Sequence, residues 1–234
     1  MRHLALLLLV VTSSKNFASP ITETSSKLLW STLISVFEVN TPGLRDPLIS
    51  AALDSYENFA LDENSEASKG DQYYQSQILW DKNRNNKVFS QNSAFEQLKE
   101  ETMATAFAHV LKEFFNEQPS RAQLSGIFCW ATVGGGGEQP TWHSPHTHQN
   151  SVLSAVYYAA VPDDGSGAPI TFSDPRGPWT NLKHSHQPVN NTIVVFPSWL
   201  EHFIPPTNSP QYRISYSCNL PGSFKTTTDL NIEL

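Results

Sequence analysis

The chain has 234 residues, of which 39% are hydrophobic, 11% aromatic and only 16% charged, with a formal net charge of −7. That length fits one domain that can bury its own core. The acidic balance, with no cluster of Lys or Arg, argues against a nucleic-acid partner, which needs a basic face.

The first fourteen residues, MRHLALLLLVVTSS, have a basic start, an apolar run and then small residues. This is the layout of a secretory signal, with a buried strand or an organelle transit sequence as competing readings. A signal would send the protein to the secretory pathway, the exterior or an organelle lumen; otherwise it is cytoplasmic. The apolar run is shorter than the about 20 residues a membrane span needs, and no other stretch reads as transmembrane. Residues 15–27 are Ser/Thr-rich and read as a linker.

Leu28 to Val39 is β-branched and aromatic enough to be a first strand. Asp46-Pro47 then opens a helix, with Asp46 as its cap and Pro47 at the first helical position, fading near Leu61. Residues 62–92 are a polar surface connection. Ser93 and Glu96 have capping-box spacing, and Phe107, Val110, Leu111 and Phe114 recur at helical period, so this helix packs one face on a sheet and stops near Pro119. Residues 28–122 would buttress a core over 123–222, with 223–234 as a tail.

From Ser125 the texture changes to short strands separated by Gly, Pro and Asp turns, which points to a mainly β fold with flanking helices, its core an antiparallel barrel or jelly roll. Gly134 to Gly137 lack the following Lys and helix of a phosphate loop and read as a flexible turn. Cys129 and Cys218 are too few for a disulfide framework. Two buried thiols are expected, with a bridge as the alternative if their strands are adjacent.

His146 and His148 point to one side if the backbone there is extended, because strand side chains alternate with period two. Neutral imidazole is the commonest metal ligand, and His202, after the turn that follows TIVVF, is the candidate third. Two ligands from one strand and one from a distant strand cover one face of a metal and leave the other open for chemistry. His184 and His186 repeat the spacing in a Pro/Asn/Lys-bearing connection, read as a loop over the barrel mouth. His143 is either exposed or directed at a substrate. In YRISYSCN, Arg213 and Ser215 share a face, where a guanidinium and a hydroxyl would hold a ligand carboxylate.

Four blocks in one order, HTHQNSVLSAVYY (146–158), FSDPR (172–176), FPSWLEH (196–202) and RISYSCN (213–219), resemble the 2-oxoglutarate and Fe(II)-dependent oxygenase superfamily, in particular a poorly characterised H-x-H group related to prolyl hydroxylases. The resemblance implies a double-stranded β-helix core with Fe(II) on His146, His148 and His202. It also implies 2-oxoglutarate with its distal carboxylate on Arg213 and Ser215, Tyr157 reaching the same carboxylate, and O₂ as the oxidant, with ascorbate as an accessory reductant. Asn150 and Asn219, inside the blocks, are further candidates. His148 stands where most members carry Asp or Glu, which would leave the ion with a higher net charge. Asp174 is therefore a candidate to supply the carboxylate, to the iron or to a histidine.

The implied activity is a hydroxylase acting on a small molecule or a protein side chain, as a monomer or weak dimer. The competing classes are a cupin-like dioxygenase or isomerase that uses no 2-oxoglutarate, and a non-catalytic jelly-roll module that binds a metal or ligand. Residues 62–92 and 173–190 are the expected substrate wall.

Overall fold

The computed structural model describes residues 21–29, 32–60, 74–75, 92–138, 140–177 and 179–222. The expected signal, nearly all of the 62–92 connection and the tail lie outside the described residues. Among the described residues eleven strands form two antiparallel sheets. The larger contains β1 (Ile21–Leu29), β2 (Thr32–Val39), β3 (Tyr74–Gln75), β4 (Phe128–Gly135), β6 (Ser151–Ala160), β9 (Thr192–Pro197) and β11 (Tyr212–Pro221), in the order β1-β2-β9-β6-β11-β4-β3. The smaller contains β5 (Thr141–His146), β7 (Ile170–Ser173), β8 (Lys183–His186) and β10 (His202–Thr207), in the order β5-β10-β7-β8. The fold is mainly β, a double-stranded β-helix with flanking helices.

Alternation along the central strands divides the interior into two layers. Leu153, Ala155 and Tyr157 of β6, with Ile214, Tyr216 and Cys218 of β11, join the core that packs under the helices. Val156 and Tyr158 of β6, with Val194 and Phe196 of β9, face the other way and meet Ile170 and Phe172 of the smaller sheet. Strands buried on both faces read as nearly continuous apolar runs, as SVLSAVYYAA and TIVVFP do.

The helices are α1 (Arg45–Ala60), α2 (Ser93–Gln97), a π-helical turn over Leu98–Met103, α3 (Ala104–Phe115) and α4 (Arg121–Ser125). Asn92 caps α2, its side chain accepting from the N–H groups of Ala94 and Phe95, so the cap falls one residue before the expected Ser93. Asp46 lies inside the first turn of α1 instead of capping it. Phe107, Val110 and Leu111 are buried as expected, whereas Phe114 is 39% exposed. Asn116, in the left-handed region at φ 50°, ends α3.

Three expectations give way to the structure. Residues 21–27, read as linker, belong to β1, which pairs with β2 and makes a hairpin where a single strand was expected. Lys183–His186, read as loop, is β8, paired with β7. Cys129 and Cys218 are register partners on β4 and β11, Cα atoms 4.1 Å apart, and are joined as a disulfide instead of packing as thiols. Among the described residues no helix is long and apolar enough to cross a membrane.

Candidate metal centre

His146 ends β5 and His202 begins β10, and the two are register partners across that antiparallel pair. His148 lies beyond the end of β5, so strand alternation does not position it as expected. The chain is already turning there, toward Asn150 in the left-handed region at φ 59°. A backbone bond holds it instead: its N–H donates to the Ser198 carbonyl at 2.9 Å, which ties the turn to the segment leading into His202. Candidate ligand atoms of His146, His148 and His202 lie within 4.8 Å of one another, and among the described residues this is the cluster of three or more that could hold an ion.

The ring nitrogens are sorted for that task. His146 Nδ1–H donates to the Ser144 carbonyl at 2.7 Å, and His202 Nδ1–H donates to the Leu200 carbonyl at 2.9 Å. A carbonyl only accepts, so in each neutral ring the lone pair is on Nε2. His148 Nε2 lies 3.2 Å from His202 Nε2. Two nitrogens each about 2.1 Å from a common ion, at roughly a right angle, would stand roughly 3 Å apart, so the donor set fits a transition metal.

Burial, with the charge that His146 and His143 would carry, pushes the His148 imidazole down to about 3. Burial first, and His146 second, hold His202 well below its ordinary value. Both rings are therefore neutral, the form that binds metal. Phe196 lies edge-on to His202 with centroids 4.7 Å apart, Trp130 sits 5.6 Å from His148, and the His143 ring lies tilted against His146 with centroids 4.1 Å apart.

Further along the inner face of β11, Arg213 is 3% exposed and its Nη1 donates to Ser215 Oγ at 3.4 Å. The guanidinium carbon stands 5.2 Å from the centre of the Tyr158 ring, and Ser215 and Tyr158 are register partners. The tyrosine expected there was Tyr157. It falls on the opposite face of β6, in the core under the helices, where its hydroxyl donates to Asn191 Oδ1 at 2.7 Å. Aligning β6 with β11 by alternation would have selected Tyr158, but register between strands distant in sequence is not written in either one.

Asp174 stands apart from the histidine cluster. Its carboxylate accepts from Arg176 Nε and Nη2, at 3.0 Å and 2.7 Å, and from the Arg176 backbone N–H. These bonds hold the carboxyl down at about 2. Asn150 serves the turn, its carbonyl accepting from Gly222 N–H at 3.1 Å. Asn219 lies against His148, its amide nitrogen 3.2 Å from Nδ1. Ser154 and Ser198, which sequence reasoning left without a role, continue from Asn219: Ser154 Oγ donates to Asn219 Oδ1 at 2.7 Å and lies 2.8 Å from Ser198 Oγ. His184 and His186 line a separate, shallow cleft with Ser25, Ile34 and Val36.

Residues 129–219 match the model of a family described as "Putative 2OG-Fe(II) oxygenase". Curated protein sequences give no match. Among solved structures the chain is similar to a prolyl-4-hydroxylase from Pseudomonas putida, at 16% identity and TM-score 0.50, over 81% of this chain and 92% of that one. It is also similar to a prolyl hydroxylase from Trichoplax adhaerens, solved in complex with a hypoxia inducible factor oxygen degradation domain peptide fragment. The identity there is 12% and the TM-score 0.55, over 80% of this chain and 83% of that one. AviO1 from Streptomyces viridochromogenes matches at 10% identity and TM-score 0.53, over 82% and 91%. At these identities the structures bear on the fold. The family match covers residues 129–219, the stretch that holds the three histidines, Arg213 and Ser215.

Proposed function

We propose that this oxygenase core makes the chain an Fe(II)- and 2-oxoglutarate-dependent dioxygenase that hydroxylates a C–H bond. The observation that carries this reading is the pairing, on one inner surface, of a three-imidazole cluster with a buried arginine flanked by a serine and a tyrosine. His146, His148 and His202 would hold the iron through Nε2, an all-neutral donor set. Bound iron supplies O₂ activation coupled to oxidative decarboxylation of 2-oxoglutarate to succinate.

The protein's own residues do the rest. Arg213, Ser215 and Tyr158 supply a guanidinium and two hydroxyls for the distal carboxylate, in a region dry enough for a charge-assisted contact to be strong. Phe172, Phe196 and Trp130 exclude water beside the histidines. The turn Ser198–Leu200 and the segment after β7 meet through the Ser173 N–H bond to the Glu201 carbonyl. The two segments carry exposed Trp199 and Trp179, flat apolar surfaces suited to a ring or peptide substrate. A secreted or luminal location accords with the Cys129–Cys218 disulfide, since such bridges persist in oxidising compartments.

The test is succinate release from 2-oxoglutarate by the full chain with Fe(II), O₂ and ascorbate, over pooled small-molecule and peptide substrates. Wild type should turn over, and His202→Ala should lose both metal and turnover. Arg213→Ala should keep the metal and lose 2-oxoglutarate binding by at least 10-fold. Turnover independent of 2-oxoglutarate and indifferent to Arg213→Ala would identify a metal-only dioxygenase or isomerase. Metal-loaded protein with no turnover of either kind would leave the fold and remove the activity.

A further inference from the structure

We propose that Asn219 is the positioning residue that sets the tautomer of His148, and that its amide turns over when a metal ion binds. The inference rests on the reading of the three histidines as a metal site. His146 and His202 have their Nδ1–H groups fixed by backbone carbonyls. His148 differs, because its Nδ1 faces a side-chain amide that can present either a donor or an acceptor. Asn219, Ser154 and Ser198 are 3%, 1% and 0% exposed, so this chain of polar groups is settled by its members and not by solvent.

The same heavy-atom positions support two polarities. In one, Asn219 Nδ2–H donates to His148 Nδ1, and Ser154 Oγ–H donates to Asn219 Oδ1. His148 then carries its proton on Nε2 and donates it to His202 Nε2 across 3.2 Å. The metal position is then closed by a hydrogen bond. In the other, the amide has turned. His148 Nδ1–H donates to Asn219 Oδ1, Asn219 Nδ2–H donates to Ser154 Oγ, and Ser154 Oγ–H donates to Ser198 Oγ, 2.8 Å away.

Only the second polarity leaves a lone pair on His148 Nε2 and makes the three histidines equivalent ligands. The histidine is neutral in both. It loses a proton from Nε2 to solvent and regains one at Nδ1, so the tautomer change itself alters no charge. Hydrogen-bond partners behind ligating histidines fix ring orientation and basicity, and their loss typically weakens metal binding about 10–100-fold. Asn219 would do this through a reversible group, where the other two ligands use fixed carbonyls.

The experiment combines Co(II) titration of the full chain with imidazole ¹⁵N NMR, with and without Zn(II), on wild type and Asn219→Asp, Asn219→Leu and Ser154→Ala. A carboxylate can only accept, so Asn219→Asp should hold His148 in the Nδ1–H form with or without metal and bind at least as tightly as wild type. Asn219→Leu keeps the branched side-chain outline without its hydrogen-bonding atoms and should lose about 10–100-fold in affinity. Ser154→Ala should lose less and shift the metal-free tautomer population. Wild-type His148 should move from Nε2–H to Nδ1–H on Zn(II) binding.

Equal affinity in wild type and Asn219→Leu, with one tautomer throughout, would overturn the inference. A wild type that binds no metal would instead overturn the metal-site reading beneath it. Thermal unfolding of each variant separates loss of affinity from loss of fold. A packing role is restored by Leu and damaged by Asp, the reverse of what the relay requires.

Discussion

Tyr157 and Tyr158 are neighbours, both fully buried, yet they serve opposite faces of one strand. On the proposed reading, Tyr158→Phe removes a hydroxyl beside Arg213 and should weaken 2-oxoglutarate binding several-fold, with thermal stability nearly unchanged. Tyr157→Phe should do the converse, costing about 1 kcal/mol by leaving Asn191 Oδ1 without its donor, while a 2-oxoglutarate titration is unaffected. The sign of the histidine shift gives a second residue-level prediction. The His148 imidazole lies at about 3 when folded against an ordinary 6.5, so the unfolded chain binds more protons between those values. Stability from this group is complete above about pH 6.5 and is lost as pH falls toward 3, with a slope approaching about 1.4 kcal/mol per pH unit. Chelator-treated protein should melt at a lower temperature at pH 5 than at pH 7.5, and His148→Asn should reduce that difference. Asp174 loses its contribution in a lower window, as pH falls from about 4 to about 2, because Arg176 holds its carboxyl down.

At the scale of elements, what the sequence discloses follows burial. SVLSAVYYAA, TIVVFP and YRISYSCN are strands buried on one or both faces, and their apolar runs or alternation say so without any structure. β1 and β8 lie at the ends of their sheets, and ITETSS and KHSH are polar enough to pass for linker and loop, because an edge strand needs only one neighbour to satisfy its backbone. The centre shows the same division. His146, Arg213 and Ser215 sit on strands where alternation locates them, and His202 opens a strand after the turn that follows TIVVF. His148 owes its place to a single backbone bond to Ser198, a long-range contact that no local pattern encodes. The pairing of Cys129 with Cys218 likewise depends on β4 lying beside β11. That bridge joins residues 89 apart in sequence. Reducing it, or replacing both cysteines by Ala, should cost about 2–5 kcal/mol in denaturant titration.

For the whole molecule, the larger sheet and its helices form a deeply packed slab, and the smaller sheet lies on that slab as a four-stranded cover. The candidate ligands are divided between the two. His146 and His202 belong to the cover, while His148 rests on Ser198 and Asn219, which belong to the slab's strand ends. Among the described residues β5 pairs only with β10, through a ladder whose register shifts twice, and its residues are half-buried or exposed. Such a strand opens locally at a small fraction of the free energy of global unfolding. A metal ion would therefore act as a clasp on the weakest seam. Amide hydrogen exchange should be faster in residues 142–146 than in β6 or β11, and Co(II) or Zn(II) should slow it there first, so that metal release is governed by how often this one strand lifts away.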